Sequence, residues 1–377
     1  MLKRFLLLTG LLASFLAPAR AQPVRSFPNG FQLDVDSPWQ RRVEGKLVPR
    51  SPGVFAGLYA GWSNVVLLQA TNKVADAVIV PDIGGRVLQF ALNGENILFE
   101  PPDGAGGTLA KDAPGFPVGG SQCDVGPESA RFPAHPQLWQ GRHAWTSPAE
   151  WHIRISSGRD PATGLDLSKS IRLDPETGAL HFTHWVDNKR PQDIALCLRE
   201  RTSCKGGGYI FFATNKKSRF TAGWALRRQK GEEVTWDGAT PFSPRVRVLE
   251  GVLVAKAEGE PLRLAADSDA GWIAYARGRL LFVKFFNWFA DGTYADVGQS
   301  VEAGWDAQCT ELEMRSPEAK LRRNNPYGFA GRWILLPLEQ PVTTFDQARA
   351  LAARVSSLKD SSGKLEMAAL PLELPGR

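Results

Sequence analysis

Glu311 and Glu313 are the residues of this chain whose type and spacing best suit chemistry. They lie in Cys309-Thr310-Glu311-Leu312-Glu313-Met314-Arg315-Ser316-Pro317. The segment alternates as a strand does, and residues two apart on a strand share a face. Two carboxylates held side by side can take protons from hydroxyl groups or bind them. The plainer reading is an acid on the solvated face of a sheet. Glu302, ahead of this strand, either lines the same cleft or sits in a surface turn.

Other residues extend the set. Arg86 closes the turn Pro81-Asp82-Ile83-Gly84-Gly85-Arg86. Its planar guanidinium suits hydroxyls and carboxylates, and the glycines before it suit a turn with positive φ. His135 and His143 fall in a long Gly- and Pro-rich stretch with Trp139 and Trp145. Those tryptophans would either stack on a ligand or pack in the core. Four cysteines, Cys123, Cys197, Cys204 and Cys309, show no Cys-x-x-Cys spacing, so the sequence offers no zinc site and requires no metal or cofactor. Cys197 and Cys204 are seven apart on one expected strand, so they face opposite sides and do not pair with each other.

The elements that must hold these residues are strands. Short runs rich in Val, Ile and Leu, with turn residues between them, predict strands at 65–70, 74–80, 86–92, 151–156, 180–186 and 193–201. Further strands are expected at 246–256, 261–266, 272–276, 280–286, 308–315 and 331–338. This rhythm argues for an all-β sandwich or barrel. Residues 101–150 read as one long functional loop. Thr344-Phe345-Asp346-Gln347 reads as a capping box opening a single amphipathic helix to Leu358.

Composition bounds the rest. An apolar content of 43% and 12 tryptophans support a large core. Lys3 and Arg4, the apolar run Phe5 to Ala17, and Ala19-Arg20-Ala21 read as a signal peptide, residues 1–21, cut after Ala21. The leader holds three of the six net positive charges, so a mature chain carries three. That charge and the lack of a basic run interleaved with aromatics argue against a nucleic-acid partner. No later run is apolar enough to span a membrane, so no stable insertion is expected after cleavage.

Three segments, in this order, make the chain similar to the galactose mutarotase-like superfamily, the aldose 1-epimerase fold, and to an uncharacterised branch of exported bacterial proteins within it. They are Asn64 to Phe99, with the Pro-x-x-Gly-Gly-Arg turn; Trp272 to Asp296, with Lys284 before Tyr294-Ala295-Asp296; and Glu302 to Leu338, with the two acids. The resemblance implies a large antiparallel β-sandwich over residues 61–377, preceded by an extension with first strands at 22–60. It also implies a concave sugar-binding face.

Glu313 best matches the family's general base, with Glu311 as the alternative. The family's acid is a His after an Asn-containing turn. Here that turn is Asp187-Asn188-Lys189-Arg190-Pro191, and the strand Ile194 to Thr202 holds no His but carries Arg199 and Arg201. An arginine is a poor proton donor, though it suits a polar or anionic sugar. His135 or His143 would have to replace the acid. Glu128 stands where relatives carry an acid after a Gly-Gly loop, but the Trp expected before it is missing. Lys284 and Asp296 match family positions, with surface charge as the alternative. The expectation is an exported, periplasmic or secreted carbohydrate-binding protein. The alternatives are a sugar epimerase or lyase-like enzyme with Glu313 as base, and a non-catalytic interaction domain of the cell envelope.

Overall fold

The computed structural model describes residues 27, 30–71, 74–110, 112, 114–115, 117–127, 132–230 and 233–359. The expected signal peptide, Glu128 and the tail after Ser361 lie outside the described residues.

Two large antiparallel sheets form the body of an all-β sandwich. One has ten strands, in the spatial order 144–149, 152–159, 165–173, 180–188, 327–337, 280–286, 272–277, 209–213, 252–256 and 246–249. The other has eight, running 233–237, 225–230, 262–266, 301–305, 309–315 and 194–205, with 319–321 and 121–126 both paired to the last. Six more strands, 31–33, 54–59, 62–69, 75–80, 86–92 and 95–96, make a third sheet. A two-stranded ribbon, 40–43 with 46–49, completes the set.

Alternation places the core. Strand 309–315 sends Leu312 and Met314 inward to join Phe282, Trp333 and Phe211 in the main cluster. Strand 62–69 is buried on both faces. Val66 and Leu68 belong to the main cluster, whereas Val65 and Leu67 join a smaller one with Phe31, Phe55 and Trp62. The helix Phe345–Lys359 lays Ala348, Ala352 and Val355 against the ten-stranded sheet. Its capping box is reciprocal: the Gln347 amide donates to Thr344 Oγ1, and the Thr344 amide donates to Gln347 Oε1.

Three expectations need correction. The stretch 101–150 is not one loop. It contains strands Ser121–Gly126 and Ala144–Ala149 and a helical turn Pro136–Trp139, which is a second α-helical segment. The expected strand 246–256 is a hairpin, turned at Glu250 and Gly251, both with positive φ. Strand 165–173 was missed, because Asp166, Ser168, Lys169 and Ser170 interrupt its apolar pattern.

Candidate functional site

The eight-stranded sheet turns one face to the core and the other outward. Strand pairing aligns Arg201, Glu313 and Glu302 across three neighbouring strands of the outward face. The next row holds Ser203, Glu311, Gly304 and Arg263. Residues two apart share a face, so Arg199 and Arg315 lie beside the first row.

Glu313 sits at the centre of this face and is 1% exposed. Arg199 grips its carboxylate with two bonds, Nε to Oε1 at 2.8 Å and Nη2 to Oε2 at 3.0 Å. Arg201 Nε reaches Oε2 at 3.0 Å, and Arg315 Nε reaches Oε1 at 2.7 Å. Arg315 also binds Asp296 and Glu302, and Arg263 bridges Glu302 and Glu311. Four arginines and four acids thus form one connected network. Burial alone would raise the Glu313 carboxyl, but the charges of Arg199, Arg315 and Arg201 hold it well below the usual carboxylate range. A carboxylate so stabilised in its charged form is a weak base.

Beside the network opens a cleft of about 530 Å³. Arg86, Gln122, Asp124, His135 and Trp139 line one side, and Arg201, Ser203 and Glu311 the other. The turn before Arg86 sets its position. Gly84 has φ of 80°, and a Cβ there would meet the Trp139 carbonyl oxygen at 2.2 Å, so its bareness lets the segment carrying Trp139 close over the turn. Gly119 has φ of 71° and presents its carbonyl to Arg86 Nη1 at 2.9 Å.

Arg86 is 6% exposed, and its second bond runs from Nη2 to Gln122 Oε1 at 2.8 Å. Both acceptors are neutral, and Nε has no hydrogen-bond partner among the described residues. Its guanidinium lies 5.9 Å from the Trp139 ring centroid. Burial brings its pKa down to about 10, against the pull of Asp124. His135 Nε2 meets Asp124 Oδ1 at 2.9 Å. Burial disfavours the charged ring, but the bond and charge of Asp124 outweigh it and raise the pKa above the ordinary imidazole value.

Several expected site residues lie elsewhere. His143 is buried, with Nε2 on the Gln137 carbonyl at 3.1 Å, and burial brings its pKa down to about 3. Trp145 stacks on Trp39 at 4.7 Å and donates to Asn64. Lys284 is fully buried between the large sheets, 2.6 Å from Glu200 and bonded to Thr202 and the Leu312 carbonyl. It therefore lies on the core side of the sheet whose outer face carries Glu313. Cys197 and Cys204 face opposite ways, and all four cysteines are thiols.

The sequence reading missed Gln122, Asp124 and Lys169. The first two share one face of the strand Ser121–Gly126, which lies in the stretch expected to be a loop. Lys169 is 2% exposed and donates to the carbonyls of Gly84 and Gly85, bracing the turn before Arg86. Its signal is present: Leu165, Leu167, Lys169, Ile171 and Leu173 put a lysine in an otherwise apolar face.

No protein-family model matches the chain, and no curated protein matches it. Similar solved structures include galactose mutarotase-like and aldose 1-epimerase proteins. One is a galactose mutarotase-like protein from Lactobacillus casei ATCC 334, 10% identical, covering 72% of this chain and 100% of its own, with a TM-score of 0.48. A galactose 1-epimerase from Lactobacillus acidophilus NCFM is 10% identical, covers 79% of this chain and 97% of its own, and has a TM-score of 0.46. A galactose mutarotase related enzyme from Lactobacillus acidophilus is 8% identical, covers 73% of this chain and 99% of its own, and has a TM-score of 0.48.

Proposed function

We propose that the protein binds a carbohydrate in the cleft between Arg86 and Glu311. The observation that supports this reading is Arg86 itself: a buried guanidinium whose acceptors among the described residues are neutral, beside an aromatic ring, at the wall of a polar cleft. A ligand oxygen would accept a direct hydrogen bond from this guanidinium, on which Asp124 and Glu311 act only through their charge, while Trp139 offers a face for the C–H side of a sugar ring. Calorimetry against a panel of mono- and oligosaccharides tests it. Binding that weakens at least tenfold in Arg86→Met supports the reading, and no binding to any sugar defeats it.

A second reading, an epimerase-like enzyme, rests on the His135–Asp124 pair. A carboxylate-braced imidazole in a cleft can serve as general acid, and Glu311, paired with Arg263, lines the same cleft. Glu313 is no longer the favoured base, because its three arginines hold its proton affinity down. Polarimetry on freshly dissolved aldoses separates the two readings. An enzyme of this kind loses about 10²–10⁴-fold in rate in His135→Asn, whereas a binding protein shows no rate above that of buffer.

The place of action belongs to the proposal as well. The leader at residues 1–21 points to the periplasm or the exterior. Among the described residues no helix is long and apolar enough to cross a membrane.

A further inference from the structure

A second cleft, of about 490 Å³, lies along the same outward face, lined by Arg227, Phe242, Arg263, Gly304 and Glu311 among others. Glu311 borders both clefts. Pairing shows why they are continuous. Ser203, Glu311, Gly304 and Arg263 stand in one row across four adjacent strands, and Arg227 shares that face through the Ala225–Ala265 pair on the fifth. Ser203 and Gly304 are small, and the paired side chains of Arg263 and Glu311 lie across Gly304, where they form the floor between the two clefts. Four strand spacings of about 4.8 Å make a trough of about 19 Å, longer than one pyranose ring.

The two ends differ from the middle. In the middle, Arg263 and Glu311 neutralise one another. Near one end the hydrogen-bond acceptors of Arg86 among the described residues are neutral. At the other, half-buried Arg227 makes a long 3.4 Å contact to the neutral Gln229. Phe242 lines the same cleft and is 75% exposed, so its ring is open to stacking. Resting on the carbohydrate reading above, we propose that the trough holds an oligosaccharide bearing carboxylate groups, with a sugar ring against Trp139, another on Phe242, and acid groups at Arg86 and Arg227.

The experiment is calorimetry of the whole protein with uronate monomers, their linear di- to tetramers in galacturonate, mannuronate and glucuronate-containing series, and neutral galacto-oligosaccharides of equal length. The proposal expects at least a tenfold gain in affinity from monomer to tetramer in one acidic series. It also expects Phe242→Ala and Arg227→Gln to remove most of that gain while leaving monomer binding unchanged. Both residues have side chains open to the cleft, so the variants should fold, and an unchanged melting temperature checks this. Equal affinity for monomer and tetramer, equal affinity for neutral and acidic oligomers, or no effect of either variant overturns the proposal while sugar binding stands. Absence of binding to every sugar brings down the carbohydrate reading itself.

Discussion

Two regions, the outward face around Glu313 and the cleft wall at Arg86 beside it, hold the same kinds of side chain in opposite conditions. Around Glu313, one buried carboxylate receives hydrogen bonds from three arginines, and the surrounding acids complete a balanced network. Around Arg86, one buried arginine has two neutral oxygens as its hydrogen-bond acceptors among the described residues, and Asp124 and Glu311 act on it only through their charge. The first group has its needs met within the chain, and the second does not. Residue type and spacing pointed to Glu311 and Glu313 as a pair, and the family resemblance to Glu313 as the base. Its neighbours make it structural and leave Arg86 as the group with something to gain from a ligand.

The largest effect that could break this comparison is on stability. Glu313→Gln leaves three arginines facing a neutral side chain, so urea unfolding should show a loss of about 3–5 kcal/mol, as for a broken buried pair. The carboxyl is depressed in the folded state. Its contribution is therefore full above the unfolded carboxylate value, about 4.3, and fades as pH falls through the lower folded value. A Glu313→Gln protein of unchanged stability would mean the cage is not structural. Arg86→Met should do the reverse: sugar affinity falls at least tenfold, while stability changes by less than about 1 kcal/mol, because removing a buried charge also removes its desolvation cost. If Arg86→Met unfolds the protein as Glu313→Gln does, the contrast between the two regions is gone.

A smaller effect sharpens the cleft side. The folded pKa of His135 is raised, so its pair with Asp124 contributes fully below the unfolded imidazole value, about 6.5, and is lost as pH rises through the folded value. Unfolding measured across that window should show a decline of less than about 1 kcal/mol, since the pair is partly solvated. His135→Asn should flatten it. Affinity for an acidic sugar should fall over the same window in the native protein only. The smallest effect is that of Phe242→Ala on stability, expected within about 0.5 kcal/mol for an exposed side chain.

Much of the fold was legible because its signals are local. The strands around Arg86 and Lys284 announce themselves by short apolar runs, that of Glu313 by alternation, and the helix by Thr344 and Gln347. That Glu311 and Glu313 share a face also follows from spacing alone. What spacing cannot provide is the partner across the sheet. Arg199 meets Glu313 over a separation of 114 residues, and Lys284 meets Thr202 over 82. Both depend on which strands lie side by side, a matter settled by the packing of the whole core. Trp145 looked like a ligand platform only because its stacking partner, Trp39, lies in the N-terminal segment, before the resemblance begins.

The strand Ile194–Lys205 carries a consequence for assembly. It sends Arg199 and Arg201 outward to Glu313, and Glu200, between them, inward to Lys284. A sheet strand shifted by one residue exchanges its two faces. Here that shift would drive two arginines toward a buried lysine and turn a glutamate toward a carboxylate. The strand is therefore keyed by the sign of its charges, and like repels like in the wrong phase. A chain that pairs this strand late has a built-in means of rejecting the misaligned sheet before the core closes over it.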